Sequence, residues 1–266
     1  MERPIYQIDA FTSEVFRGNP AAVVPLDAWL PDETLQRIAL ENNLSETAFF
    51  VPGDSGIADY HLRWFTPAVE VDLCGHATLA SAHTLFTELG FSGDRIRFST
   101  RASGVLNVTR QDDLIRMDLP AYTLTHSKTS DQLEKALGRR PSEVIDAAPK
   151  LLCVFENKRD VLEISPDLDA MRELDALGVI VTAPGTKHDF VSRFFAPNAG
   201  VDEDPVCGSA HCALTPYWAD RLGRTTLSAH QVSAREGELA CELRGDRVTL
   251  SGKSVTYLRG TIAIPG

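Results

Sequence analysis

The chain has 266 residues, 43% apolar and 24% charged, an ordinary composition for a folded soluble protein of one large or two smaller domains. Its net charge of −11 leaves no basic surplus for phosphate backbones or anionic lipid, which excludes nucleic-acid and membrane partners but not a small anionic substrate. No apolar run approaches the roughly 20 residues of a membrane helix, Met1-Glu2-Arg3-Pro4 lacks a secretion-signal pattern, and the five cysteines are an odd number, so reduced thiols and a cytoplasmic location are expected.

In chain order, Ile5 to Phe11 and Ala21 to Val24 read as strands around a turn at Phe16-Arg17-Gly18-Asn19-Pro20. Pro31-Asp32-Glu33 opens a helix that Asn42-Asn43 stops, with proline and acids in its first turn. Strands follow at Thr47 to Val51 and Tyr60 to Phe65, then a helix from about His76 to Leu89 that Gly90 ends. Ile96 to Phe98, Val105 to Thr109 and Leu114 to Met117 read as antiparallel strands, and Pro120 to Ser130 as a crossover. Beyond it come a helix from Ser130, its cap, to Leu137, a strand at Leu151 to Phe155, a helix opened by Ser165-Pro166-Asp167, and strands at Val179 to Thr182 and Phe190 to Phe195. The helix after Cys207 carries Pro216 inside it, where a kink or break is expected. Strands near Glu238 to Leu243, Val248 to Leu250 and Thr261 to Ile264 close the chain.

Two stretches repeat one another. Arg63-Trp64-Phe65-Thr66-Pro67, Cys74-Gly75-His76-Ala77 and Leu89-Gly90 match Arg193-Phe194-Phe195-Ala196-Pro197, Cys207-Gly208-Ser209-Ala210 and Leu222-Gly223. The two Cys-Gly pairs lie 133 residues apart, half of the 266-residue chain. So long a period implies two similar domains, not a solenoid. The expected class is α+β, with two pseudo-symmetric lobes at 1–120 and 121–266, each a curled, mostly antiparallel sheet around a central helix. No G-x-G-x-x-G or Walker A pattern is present.

Four groups of residues could carry chemistry. Cys74 and Cys207 each precede a helix, where unpaired N–H groups and the helix dipole favour an anion and a thiolate; alternatively both are small buried turn residues. Glu46 lies at the mouth of an apolar strand, where burial suits a carboxyl to proton transfer, or it is an exposed strand-end acid. Asp202-Glu203-Asp204 precede the second Cys-Gly helix either as dipole partners or with Asp204 facing a cleft. Cys74, His76, Cys207, His211 and Cys212 match no common zinc spacing, so no metal is expected.

These residues resemble the PhzF family, the phenazine-biosynthesis isomerase-like proteins that share the diaminopimelate epimerase fold. The matching stretches are Ile8-Asp9-Ala10-Phe11-Thr12, Phe16 to Ala21, Asn43 to Phe49, Phe65-Thr66-Pro67, Val71 to Thr78 and Asp202 to His211. The resemblance implies an active site between two lobes, no cofactor, no metal and a homodimer. One member isomerises trans-2,3-dihydro-3-hydroxyanthranilate by moving a proton between carbons. By resemblance Glu46 shuttles the proton, His76, Asp204 and Ser209 assist, and Gly75 and Gly208 hold the acidic group with Asn19, Cys74 and Cys207 beside it. Cys207 departs from the pattern, since many PhzF-like sequences carry threonine there.

Three readings follow. The first is a cofactor-independent isomerase moving a proton on a small carboxylate with Glu46 as acid/base. The second is a two-cysteine racemase or epimerase using Cys74 and Cys207. The third is a non-catalytic small-molecule binding protein on the same scaffold.

Overall fold

Short strands punctuated by turn residues dominate the chain, and helices form where the apolar spacing lengthens. The computed structural model describes residues 1–54 and 56–264. The elements are β1 (Glu2–Ala10), β2 (Asn19–Pro25), α1 (Asp32–Asn42), β3 (Glu46–Pro52), β4 (Tyr60–Phe65), β5 (Glu70–Val71), α2 (Gly75–His83), β6 (Arg95–Ser99), β7 (Val105–Gln111) and β8 (Leu114–Pro120). They continue with β9 (Thr125–Ser127), α3 (Asp131–Leu137), β10 (Glu143–Ala147), β11 (Lys150–Val154), α4 (Lys158–Leu162), α5 (Leu168–Arg172), β12 (Gly178–Pro184), β13 (Phe190–Ala196) and β14 (Val201–Asp204). The last are α6 (Gly208–Leu222), β15 (Thr226–Gln231), β16 (Gly237–Arg244), β17 (Arg247–Gly252) and β18 (Ser254–Ala263).

Contacts divide the chain into Met1–Asp118 with the stretch from Ser251 onward, and Leu119–Leu250. A boundary at 120/121 leaves the C-terminal strand in the second half. The contacts place it in the first unit, because β18 pairs with β1 from Glu2 to Ala10. In the first unit the strands run β18-β1-β2-β3-β4-β6-β7-β8, with β5 beside β4 and parallel joins at β2–β3 and β4–β6. In the second they run β9-β10-β11-β12-β13-β15-β16, with β14 beside β13 and parallel joins at β11–β12 and β13–β15. The duplicated sequence thus forms a duplicated ladder, in the mostly antiparallel α+β class expected.

Each unit wraps its sheet on one helix. α2 packs on β1, β2, β3 and β18, and every residue from His76 to Ala82 is buried. α6 packs on β15 and β16 and is buried from Ala210 to Thr215. A helix apolar on all sides belongs inside a core. Its hydroxyls are satisfied by the preceding turn: Thr78 Oγ1 donates to Cys74 O (2.6 Å), Ser81 Oγ to Ala77 O (2.7 Å) and Thr215 Oγ1 to His211 O (2.6 Å).

Several expectations need correction. α2 stops at His83 and passes into a π-helical turn over Thr84–Glu88, in which Leu89 N–H donates to Thr84 O. α6 continues unbroken through Pro216. The proline lacks the N–H that would bond Cys212 O, and Tyr122 N–H supplies that bond from outside the helix at 3.1 Å. The segment 120–130 is not a bare crossover, since β9 within it pairs with β10. Asp202 to Asp204 are strand residues in β14. No helix among the described residues is long and apolar enough to cross a membrane.

His211, one turn into α6, is fully buried and has its Nδ1 2.8 Å from Cys207 O. A carbonyl only accepts, so Nδ1 carries the hydrogen and Nε2 is a buried acceptor without a partner among the described residues. Burial pushes its pKa down from the ordinary 6.5 to about 4, only partly opposed by the Cys207 carbonyl. Between those values the unfolded chain binds a proton that the folded chain refuses, so stability falls as pH drops. Urea unfolding at pH 7.5 and 4.5 is expected to show a loss of about 2–3 kcal/mol from this group. His211→Asn, which keeps a donor but does not titrate, should flatten the profile by that amount; parallel profiles would contradict the assignment.

Candidate active site

Two matched hairpins lead into the two Cys-Gly helix starts. In the first, Arg63 on β4 forms a fork with Glu70 on β5, at 2.7 and 2.8 Å, and its guanidinium lies 5.0 Å from the Phe65 ring centre. In the second, Arg193 on β13 grips Glu203 on β14 at 2.8 and 2.9 Å and lies 4.7 Å from Phe195. Such bidentate pairs fix direction as well as distance, and here they set the approach of each chain to its cysteine. Glu203 is therefore a structural partner of Arg193, Asp202 reaches Arg172, and Asp204 Oδ1 accepts from Val206 N–H at 3.2 Å.

In the first unit Cys74 is the N-cap of α2, in extended backbone, and its side chain makes no capping bond. Ala77 N–H is directed at the Cys74 sulfur, while among the described residues the N–H groups of Gly75 and His76 keep their donor capacity for another acceptor. His76 is 4% exposed, and its Nε2 lies 3.1 Å from Glu46 Oε2, whose side chain is 16% exposed. The two atoms are close but not aligned for a straight hydrogen bond, and neither has another hydrogen-bond partner among the described residues. On the opposite edge of the ring, Nδ1 lies 3.2 Å from Asn19 Nδ2 and 3.5 Å from Cys74 Sγ. Asn19 opens β2, Glu46 opens the neighbouring parallel β3, and both are carried to the mouth of α2 by that pairing.

The charges are coupled. Burial first, then the Glu46 charge, pushes the Cys74 thiol up to about 11, so it is neutral near pH 7. Burial opposes a charged His76, but Cys74 and Glu46 outweigh it, and the histidine pKa is raised well above its ordinary value. Glu46 contributes to that rise after Cys74, by its charge and by its contact with the ring. The Asn19 amide suits either state: its NH₂ donates to an unprotonated Nδ1, and turned over its oxygen accepts from Nδ1–H.

In the second unit Cys207 caps α6, with Gly208 as the first helical residue. Its Sγ is 3.3 Å from Ser209 Oγ, and burial, then the charge of Asp204, pushes the thiol strongly upward. A fully buried residue absent from the sequence expectations holds this turn: Gln231 Oε1 accepts from Cys207 N–H at 3.0 Å, and its Nε2 donates to Asp204 O at 2.7 Å. Ser233 Oγ adds a bond to Pro205 O at 2.8 Å.

The structure thus brings Asn19, Glu46, Cys74, Gly75 and His76 together in the first unit, and Asp204, Cys207, Gly208 and Ser209 together in the second. The spacing pattern for metal did not group Glu46 with Cys74 and His76, yet their donor atoms lie within 4.8 Å of one another. His76 turns opposite ring nitrogens to Glu46 and Cys74, so one ion on all three would require the ring to surrender a contact.

The model of the family described as phenazine biosynthesis-like protein, PhzC–PhzF, matches residues 8–260. An uncharacterized isomerase of Pseudomonas aeruginosa is 53% identical over 98% of this chain and 99% of its own length. A crystal structure of a PhzF-family protein from Enterococcus faecalis superposes with a TM-score of 0.94 at 46% identity, over 99% of this chain and 100% of that one. At the level of fold alone, a hydroxyproline epimerase from Agrobacterium vitis matches with a TM-score of 0.65 at 11% identity, covering 99% of this chain and 93% of that one. The residues at the helix mouths therefore sit in a relative of these proteins: this chain belongs to the PhzC–PhzF family of phenazine biosynthesis-like proteins.

Proposed function

We propose that this protein is a cofactor-independent isomerase that moves a proton on a small carboxylate substrate. The observation that carries the reading is the shielded Glu46–His76 pair at the start of α2. The name of the 53% identical Pseudomonas relative, an uncharacterized isomerase, points the same way.

A carboxylate beside an imidazolium has the parts needed for proton transfer at carbon. Glu46 takes the proton from an activated C–H bond, and the electron pair of that bond moves into the adjacent unsaturated system as an enolate-like anion. The negative charge leaves the carboxylate for the substrate, while the His76 charge stays to balance it. Glu46 then returns the proton to a different carbon, and no atom is gained or lost. The N–H of Gly75 at the start of α2 suits the substrate's acidic group, and the resemblance gives Gly208 the same part. Asn19 sets the orientation of the His76 ring, and Asp204 and Ser209 keep the assisting roles that the resemblance gives them.

The two-thiol alternative needs a thiolate on one cysteine, and burial works against that at both. Iodoacetamide should modify Cys74 in the native protein roughly two orders of magnitude more slowly at pH 7.5 than it modifies free cysteine, with the rate climbing toward pH 11. Rapid alkylation at neutral pH that abolishes turnover would instead support the epimerase reading.

The direct test is deuterium uptake from D₂O, followed by mass spectrometry with dihydro-hydroxyanthranilate and a panel of amino and hydroxy acids. Glu46→Gln should lower exchange by about 10³-fold or more, whereas Cys207→Ser should keep it within about tenfold. Exchange that survives in Glu46→Gln and disappears in Cys207→Ser would reverse the assignment.

A further inference from the structure

Lys150 opens β11, paired across the hairpin with Ala147, just as Asn19 opens β2, paired across with Ala10. The first position holds a neutral amide that touches His76. The second holds a lysine that is only 4% exposed. Its Nζ donates to the Tyr122 hydroxyl at 2.8 Å and lies 4.6 Å from the Tyr122 ring centre and 6.0 Å from that of Phe194. Among the described residues no carboxylate forms an ion pair with it.

Burying an ammonium is costly unless an opposite charge accompanies it. A phenol oxygen satisfies one of its three donors, and two aromatic faces contribute a modest attraction. A cation so placed lacks the one partner that would balance it. Its neighbours place it near the start of α6: Tyr122 N–H bonds Cys212 O in the helix, and Phe194, whose ring the ammonium faces, pairs with Asp204 three residues before Cys207.

We propose that Lys150 is a substrate-binding residue that pairs with the carboxylate of the substrate at the start of α6. The proposal rests on the carboxylate-substrate reading above and deepens it. Tyr122 positions the ammonium, and its ring and that of Phe194 suit a carboxylate borne on a flat or apolar body. Among the described residues no ion pair to a protein carboxylate competes with such a ligand for Lys150.

The test uses the full chain with acetate, benzoate and 3-hydroxyanthranilate as probes, each against chloride at equal ionic strength, read by thermal shift and calorimetry. At least one probe should stabilise the wild type. Lys150→Met should weaken its binding roughly tenfold or more, while Lys150→Arg, which keeps the charge, should stay within about threefold. The unliganded Lys150→Met protein should melt at or above the wild-type temperature, because it loses an uncompensated buried charge. Lys150→Gln, milder in shape, carries the same prediction if the methionine variant folds poorly. Anion stabilisation unchanged in these variants, or absent from the wild type with every probe, would overturn the proposal. Exchange from D₂O on the same protein with dihydro-hydroxyanthranilate and the panel of amino and hydroxy acids separates the two claims. Carboxylate binding that depends on Lys150 in a protein that exchanges no proton would sustain the anion site and sink the isomerase reading.

Discussion

A carboxylate and an imidazole confined together with little access to solvent are the constraint around which the first unit is built. Glu46 and His76 lie 3.1 Å apart with 16% and 4% of their side chains exposed. In so shielded a place each charge depends on the other, because water contributes little to stabilising either. Such an arrangement is a poor way to gain stability and a good way to keep a proton ready to move. The rest of the unit serves it: the parallel pairing of β2 and β3 brings Asn19 and Glu46 to one end, and the Arg63–Glu70 fork delivers the chain to Cys74 so that α2 begins beside them.

Duplication supplied two such helix mouths, and the copies have diverged in their chemistry while sharing their mechanics. Both keep the arginine fork, the aromatic under the guanidinium, the cysteine cap and the buried helix. The first copy acquired the acid and the histidine. Its counterpart places Ser209 beside the cysteine, ties the turn down with Gln231 and carries a buried lysine at the head of β11.

Much of this was legible in the residues. The matched Cys-Gly helices gave the duplication, capping residues such as Ser130 marked helix starts, and Glu46, Cys74 and His76 stood out before any geometry. What was not legible shares one physical character, in that it depends on partners distant in sequence. The helix through Pro216 survives because Tyr122 replaces a missing donor. β18 belongs with the first unit because its partner is β1. Gln231 and Lys150 carry no local motif; one matters for the backbone it bridges, the other for the carboxylate it lacks. The half-chain offset of 133 carries Asn19 onto Leu152 and misses Lys150, because Lys150 lies 57 positions before Cys207 whereas Asn19 lies 55 before Cys74.

The protonation state of His76 tests the account at its centre. An NMR titration of the histidine ring nitrogens, in wild type and in Glu46→Gln, reads it directly. The account predicts an imidazolium that persists well above the ordinary histidine range in the wild type and titrates at distinctly lower pH once the carboxylate is gone. A His76 already neutral at pH 7, with a titration indifferent to Glu46, would contradict it.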